Sequence, residues 1–391
     1  MIGILTFYWA DDYGAMLQSY ALKTYLNRYS EAVLIPYFPR NLRGRYRVIR
    51  YNRADNLPRR IFKIARQLRP KNFRCNLSRR KRMSRFRSEY LTKDRRCLQS
   101  SRDIYKYNSE MDTYVAGSDQ IWNPEITEGF QEGYFCTFRK WKKDSAHYVA
   151  YAASIGMERL EEKYDGELSA LLSNFDVISI REPLSKPYIS KRWGKEPEVV
   201  LDPVFLLEKK EWEELLDKTP LPNEISEREK DGYIAVYDTE YLPEMAEYLK
   251  NLEKNSGLAV VVISPVRKSY KWTESEKLLI GRGPLEFLAV LYHAAYVVTN
   301  SFHGTALSVI LKKQFVSFPH RTRGARMLDI LRIAHLEERL AYAGKKTVQI
   351  DNTIDWDGVD KALEKEIIHS KEFIKKEILA PLDRYGSNRY T

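Results

Sequence analysis

Several stretches of this 391-residue chain end a buried-strand pattern in polar residues that could act on a ligand. The most telling is VVTNSFHGTALSVILKKQFVSF, Val297 to Phe318. An apolar run stops at Thr299, Asn300 to His303 form a turn, and Gly304 opens a helix. His303 therefore stands at a strand's carboxyl end, beside helix N–H groups of the kind that hold anions. A lone histidine often only caps its own loop. Here the crevice position, with Ser301 and the small residues Gly304, Thr305 and Ala306 beside it, favours a functional imidazole. Beyond the next strand come His320, Arg321, Arg323 and Arg326. Guanidinium forks match phosphate or carboxylate oxygens bidentately, although the same cluster could be an ordinary surface loop.

Two segments further upstream follow the same pattern. In DVISIREPLSKPY, a strand over Val177–Ile180 delivers Arg181 and Glu182 to its carboxyl end. A buried arginine is costly unpaired, so Arg181 either pairs with Glu182 or meets a ligand anion. In YVAGSDQIWNP, Ser118, Asp119, Gln120, Trp122 and Asn123 set hydrogen-bonding groups beside an aromatic ring. That combination suits a sugar, though such turns also cap helices. At the start, WADDYGAMLQSYAL places Asp12, Tyr13 and Gly14 before the first helix. Two acids beside a single glycine would repel a phosphate, so a sugar-hydroxyl site or a structural cap fits better.

The elements that must position these residues read as alternating strands and helices. The strand over residues 2–7, the helix from Ala15 and the strand over 32–35 make a parallel crossover unit, and the rhythm returns over 113–201. After a polar, proline-bearing stretch between Leu206 and Gly232 it begins again, with strands over 233–237, 260–263, 296–299 and 315–318. The spacing predicts an α/β protein of two Rossmann-like domains facing each other across a cleft. Residues 1–207 form the first, 208–355 the second, and 356–391 a final helix and tail. Ligands of such sheets collect at the carboxyl ends of strands, where all the segments above lie.

Composition adds a second theme. The chain carries a formal charge of +12, but the segment from Arg40 to Arg96 holds 22 Lys/Arg against three acids, a local +19 that leaves −7 for the rest. This basic block, about residues 40–97, reads as a helical insertion into the first domain, with helices over 59–68 and 78–90. Its density favours a patch for phosphate, anionic lipid or polyanion over a merely solvated excursion. It contains no nucleic-acid reading module, so no specific nucleic-acid partner is expected. Three cysteines, Cys75, Cys97 and Cys136, cannot all pair and lack metal-ligand spacing, which suits a reducing, cytoplasmic setting. No apolar run reaches the roughly 18 residues of a membrane span.

Taken together, DYGAMLQSYAL, AGSDQIWNP, YAASIG, ISIREPLS, VVLDPVFLL, GPLEFL and TNSFHGTALSVILKKQF resemble the polysaccharide pyruvyl transferase family in content and order. The resemblance covers most of the chain outside the basic block. It implies a GT-B-like arrangement of the two domains. The implied activity takes a pyruvate group from phosphoenolpyruvate to a sugar as a ketal, with no metal and no cofactor beyond that donor. His303 matches the family's acid and Arg181 an arginine that holds the donor. Ser301, Gly304 and Arg321 or Arg323 would complete the donor site. Asp12, Tyr13, Gly14, Ser118, Asp119, Gln120, Trp122 and Glu182 are candidates for the acceptor side. Two positions differ from the usual pattern: Asp12 stands where asparagine is common, and Asn300 where aspartate is frequent. The expected acceptor is a sugar of a polysaccharide or of a polyprenyl diphosphate-linked precursor. The protein would then be cytoplasmic, with peripheral contact at an anionic inner membrane face. The competing reading is a GT-B glycosyltransferase that uses a nucleotide sugar.

Overall fold

The computed structural model describes residues 1–42, 56–107, 111–142, 146–217, 219–226, 232–265, 270–321, 324–342 and 353–382. Among the described residues eleven strands, all parallel to their neighbours, form two sheets. In the first, β1 (Ile2–Leu5), β2 (Ala32–Leu34), β3 (Thr113–Ala116), β4 (His147–Ala153), β5 (Val177–Ile180) and β6 (Glu198–Val199) lie in the order β2-β1-β3-β4-β5-β6. In the second, β7 (Tyr233–Tyr237), β8 (Ala259–Ser264), β9 (Lys277–Ile280), β10 (Tyr296–Thr299) and β11 (Gln314–Ser317) run β11-β10-β7-β8-β9. The interior strands β1 and β7 are buried at every residue, as unbroken apolar runs in a sheet covered on both faces must be.

Most expected elements recur with shifted ends. Helix α1 (Tyr13–Leu26) starts two residues before Ala15 because the Asp12 side chain accepts from the Ala15 amide at 3.0 Å and caps it. Between β4 and β5 runs a short helix, Asp165–Leu172, preceded by one 3₁₀ turn. Strand β9 escaped the sequence reading. It lies at a sheet edge and is only partly buried, so its apolar pattern is diluted by charge.

The basic block forms two helices, α2 (Leu57–Leu68) and α3 (Pro70–Phe86), and the chain then passes into a π-turn over Arg87–Leu91. Proline at the first position of α3 loses no bond, since that N–H would have no helical partner. The final helix, Trp356–Phe373, returns to the first half, where Ser370 Oγ accepts from the Leu201 amide at 2.9 Å. The halves also meet directly. Tyr13 stacks on Phe287 at 4.7 Å, and its hydroxyl donates to the Arg282 carbonyl.

Candidate active site

The carboxyl ends of β1, β3, β7, β10 and β11 converge on one pocket of about 210 Å³. The first half contributes Ala10, Asp12, Asp119 and Gln120; the second contributes Asn300, Ser301, His303 and Arg326. Strand-end loops from two sheets can share a pocket only because the sheets face each other, the crevice rule for open parallel sheets.

His303 sits in the first turn of the helix Phe302–Ile310, whose N-cap is Ser301. The ring is only 8% exposed, and its Nε2 has no hydrogen-bond partner among the described residues. Across the junction of the halves it packs on Gly14. A β-carbon there would lie 2.1 Å from His303 Nδ1, so only glycine lets the ring occupy this place. Asp202 Oδ2 faces Nε2 at 3.6 Å, an ion-pair distance too long for a hydrogen bond.

Asp202 is the residue that sequence reasoning missed. It follows β6 within VVLDPVFLL and is buried. Its Oδ1 accepts from the Val204 amide, and its Oδ2 accepts from Arg181 Nη1 at 2.6 Å and from Ser118 Oγ at 3.4 Å. Burial alone would raise this carboxyl, but His303 and Arg181 hold it well below the usual carboxylate range. The available signal was an acid straight after the apolar run Val199–Leu201, as Arg181 follows Val177–Ile180.

Arg181 resolves the alternative left open by the sequence. It does pair with Glu182, at 3.4 Å, yet Asp202 is its closer partner and Asp119 Oδ1 lies 3.7 Å from Nη2. Nη2 has no hydrogen-bond partner among the described residues, and the guanidinium lies over the Phe302 ring at 4.6 Å. Glu182, expected on the acceptor side, is buried and does not line the pocket; it accepts from Ser154 Oγ. The guanidinium that lines the pocket belongs to Arg326, which sits over the same Phe302 ring at 5.6 Å and approaches the Gln120 amide at 3.0 Å.

The other expected site residues divide. Asp12 lines the pocket, and burial pushes its carboxyl up, opposed by the Ala15 amide and by His303. Asp119 and Gln120 line it too. Trp122, expected to offer a flat ring to a sugar, is instead wholly buried, stacked on Phe135 with its indole N–H donating to the Tyr134 carbonyl. Tyr13 is likewise core, and Ser118 donates to the Ala152 carbonyl. Gly304, expected to open the helix, is its third residue, because the Ser301 cap starts the helix at Phe302; its amide lies 3.5 Å from Ser301 Oγ. Arg321 is exposed, its amide donating to Glu240; Arg323 lies outside the described residues. Asn300 accepts from the Thr239 amide at 2.7 Å and donates to the Glu240 carbonyl at 2.8 Å. An aspartate carboxylate could not make that second bond.

Two parallel α/β sheets meeting over a pocket define a GT-B-type fold. Solved structures agree. A candidate UDP-N-acetylglucosamine 2-epimerase from Listeria monocytogenes matches 95% of this chain and 88% of its own, at 11% identity and a TM-score of 0.50. The UDP-GlcNAc 2-epimerase from Neisseria meningitidis matches over 96% and 93%, at 9% identity and a TM-score of 0.50. Identities this low speak for the fold alone. A search of curated proteins gives no match. The profile of the polysaccharide pyruvyl transferases matches residues 12–322, and the chain belongs to that family, one of transferases acting on polysaccharide.

Proposed function

We propose that the protein transfers a pyruvate group from phosphoenolpyruvate to two hydroxyls of one sugar, giving a cyclic ketal and inorganic phosphate. The acceptor is a polysaccharide unit or its polyprenyl diphosphate-linked precursor. The observation that carries this reading is the His303 imidazole, buried at the junction of the halves with Asp202 behind it.

In this mechanism His303, as imidazolium, donates its proton to the methylene carbon of the donor, and C2 becomes an oxocarbenium centre. Asp202 stabilises the positive ring before the proton leaves. One sugar hydroxyl adds to C2, and its proton returns to the imidazole. The C2–O bond to phosphate then breaks, the leaving phosphate taking both electrons, and a second hydroxyl closes the ketal as its proton passes to phosphate. Arg326 and the start of the helix at Phe302 supply positive potential for the donor's phosphate and carboxylate. The unbonded Arg181 Nη2 adds a further donor at the edge of the same charge network. Asp12 and Asp119 line the pocket from the acceptor side, where an acid could receive a hydroxyl proton.

The test incubates the full chain with phosphoenolpyruvate and a glycan fraction. Phosphate release and phosphoenolpyruvate-dependent gain of pyruvate less one water on the glycan are expected. His303→Ala should lower turnover by roughly 10²–10⁴-fold with the fold retained. Near wild-type ketal formation in that variant sinks the assignment of the acid. Transfer from a panel of nucleotide sugars, with none from phosphoenolpyruvate, replaces the reading with glycosyl transfer.

A further inference from the structure

The basic insertion presents two unlike faces. Its inner face is fastened to both halves. Arg79 lies 3.6 Å from Asp11 and donates to the Pro265 carbonyl. Arg82 pairs with Glu286 at 2.7 Å and donates to the Gly281 carbonyl. Arg87, in the π-turn, donates to the Trp9 carbonyl and to Asp11. Met83 and Phe86 are buried on the same side. The insertion is thus held against the Trp9–Asp12 loop, which itself lines the pocket at Ala10 and Asp12.

The outer face is apolar. In α2, Leu57, Ile61, Ile64 and Leu68 recur every three or four residues, the spacing of one helix stripe, and Phe62 widens it. Leu57, Ile61, Phe62 and Leu68 are 65%, 58%, 67% and 51% exposed, and Phe73 and Leu77 extend the surface along α3. Arg69 borders the stripe, Arg59 lies on the other side of α2, and both are exposed. So large a cluster of exposed apolar side chains marks an interaction surface.

We propose that α2 and the first turns of α3 lie in the interface of an anionic lipid bilayer, holding the pocket beside the membrane surface. Charge selects this occupant. The face belongs to a segment with a local charge of +19, which an anionic headgroup layer complements. The apolar side chains would sink below the headgroups while the arginines stay level with the phosphates. A second copy of the chain would set like charges against each other. A nucleic acid would satisfy the cations but leave leucine and isoleucine in water. The proposal stands apart from the chemistry of the pocket, and either can fail alone.

Sedimentation of the full chain with vesicles of phosphatidylcholine, with and without phosphatidylglycerol, tests it. Binding should be at least tenfold tighter to the anionic vesicles and should weaken as salt rises. The combined variant Ile61→Gln, Phe62→Gln, Leu68→Gln should lose binding at least tenfold with an unchanged circular dichroism spectrum. Arg59→Gln with Arg69→Gln should weaken it less and flatten the salt dependence. Wild-type-like binding by the apolar variant overturns the proposal. So does indifference to lipid charge, salt-insensitive binding, or tighter association with a DNA duplex than with the vesicles.

Discussion

Arg181 and Arg326 both lie over the ring of Phe302, one reaching it from the first half of the molecule and one from the second. Their surroundings differ sharply. Arg181 has Asp202, Glu182 and Asp119 within 3.7 Å and is a strut in a network of fixed carboxylates. Arg326 faces the pocket. A guanidinium placed straight after a strand meets the acids of neighbouring strand ends, whereas one placed in the first turn of the following helix can reach over the cavity. Having an arginine is less informative than knowing which carboxylates share its end of the sheet.

Breaking the strut should have the largest effect. Asp202→Ala leaves Arg181 buried without its nearest counter-charge, and the protein should lose about 3–5 kcal/mol in chemical denaturation. Because Asp202 is held below its ordinary range, the wild type keeps this stability above the unfolded carboxyl's pKa of about 3.9. It loses it only as pH falls towards the lower folded value; the variant should lack that acid limb. A variant as stable as wild type would mean that Arg181 finds its support elsewhere.

Gly14→Ala moves the ring without touching its chemistry. The added methyl must displace His303, so kcat should fall roughly 10²-fold, with a loss of about 1–3 kcal/mol in stability from overpacking. Unaltered kcat would show that the ring does not depend on this contact. Arg326→Gln should raise KM for phosphoenolpyruvate about tenfold or more. Equal KM values would remove Arg326 from the donor site.

The smallest effect concerns Asp329, in the helix Ala325–Ile333 that carries Arg326. Burial and the charge of Glu182 raise its carboxyl to about 6. A raised folded pKa means that ionisation costs stability, so stability should decline as pH rises from about 4 to about 6. Asp329→Asn should then gain about 1 kcal/mol at pH 7, the value expected after allowing for partial solvent screening. No gain in a denaturant titration would count against the raised value.

The sheets were legible because parallel strands buried on both faces are unbroken apolar runs, as in Val297–Thr299 and Tyr233–Tyr237. Edge strand β9 lacked that signature. In the pocket, His303, Ser301, Asp12, Asp119 and Gln120 were readable from strand-end loops. What the sequence could not give was direction. Trp122 points into the core, where Phe135 and the Tyr134 carbonyl satisfy both its ring and its N–H. Arg321 and Arg326 differ only by their place relative to the helix start. Asp202 lay inside a quoted motif, but its importance rests on meeting Arg181 and His303 from two other segments, a coincidence in space that linear spacing does not reveal.

The contact between Gly14 and His303 joins residues 289 positions apart, each anchored to a different sheet. The seat of the imidazole is therefore shared, one wall from each half, and under the proposed mechanism any displacement of one half against the other would move the ring off Gly14 and disable proton transfer without touching a single residue of the pocket.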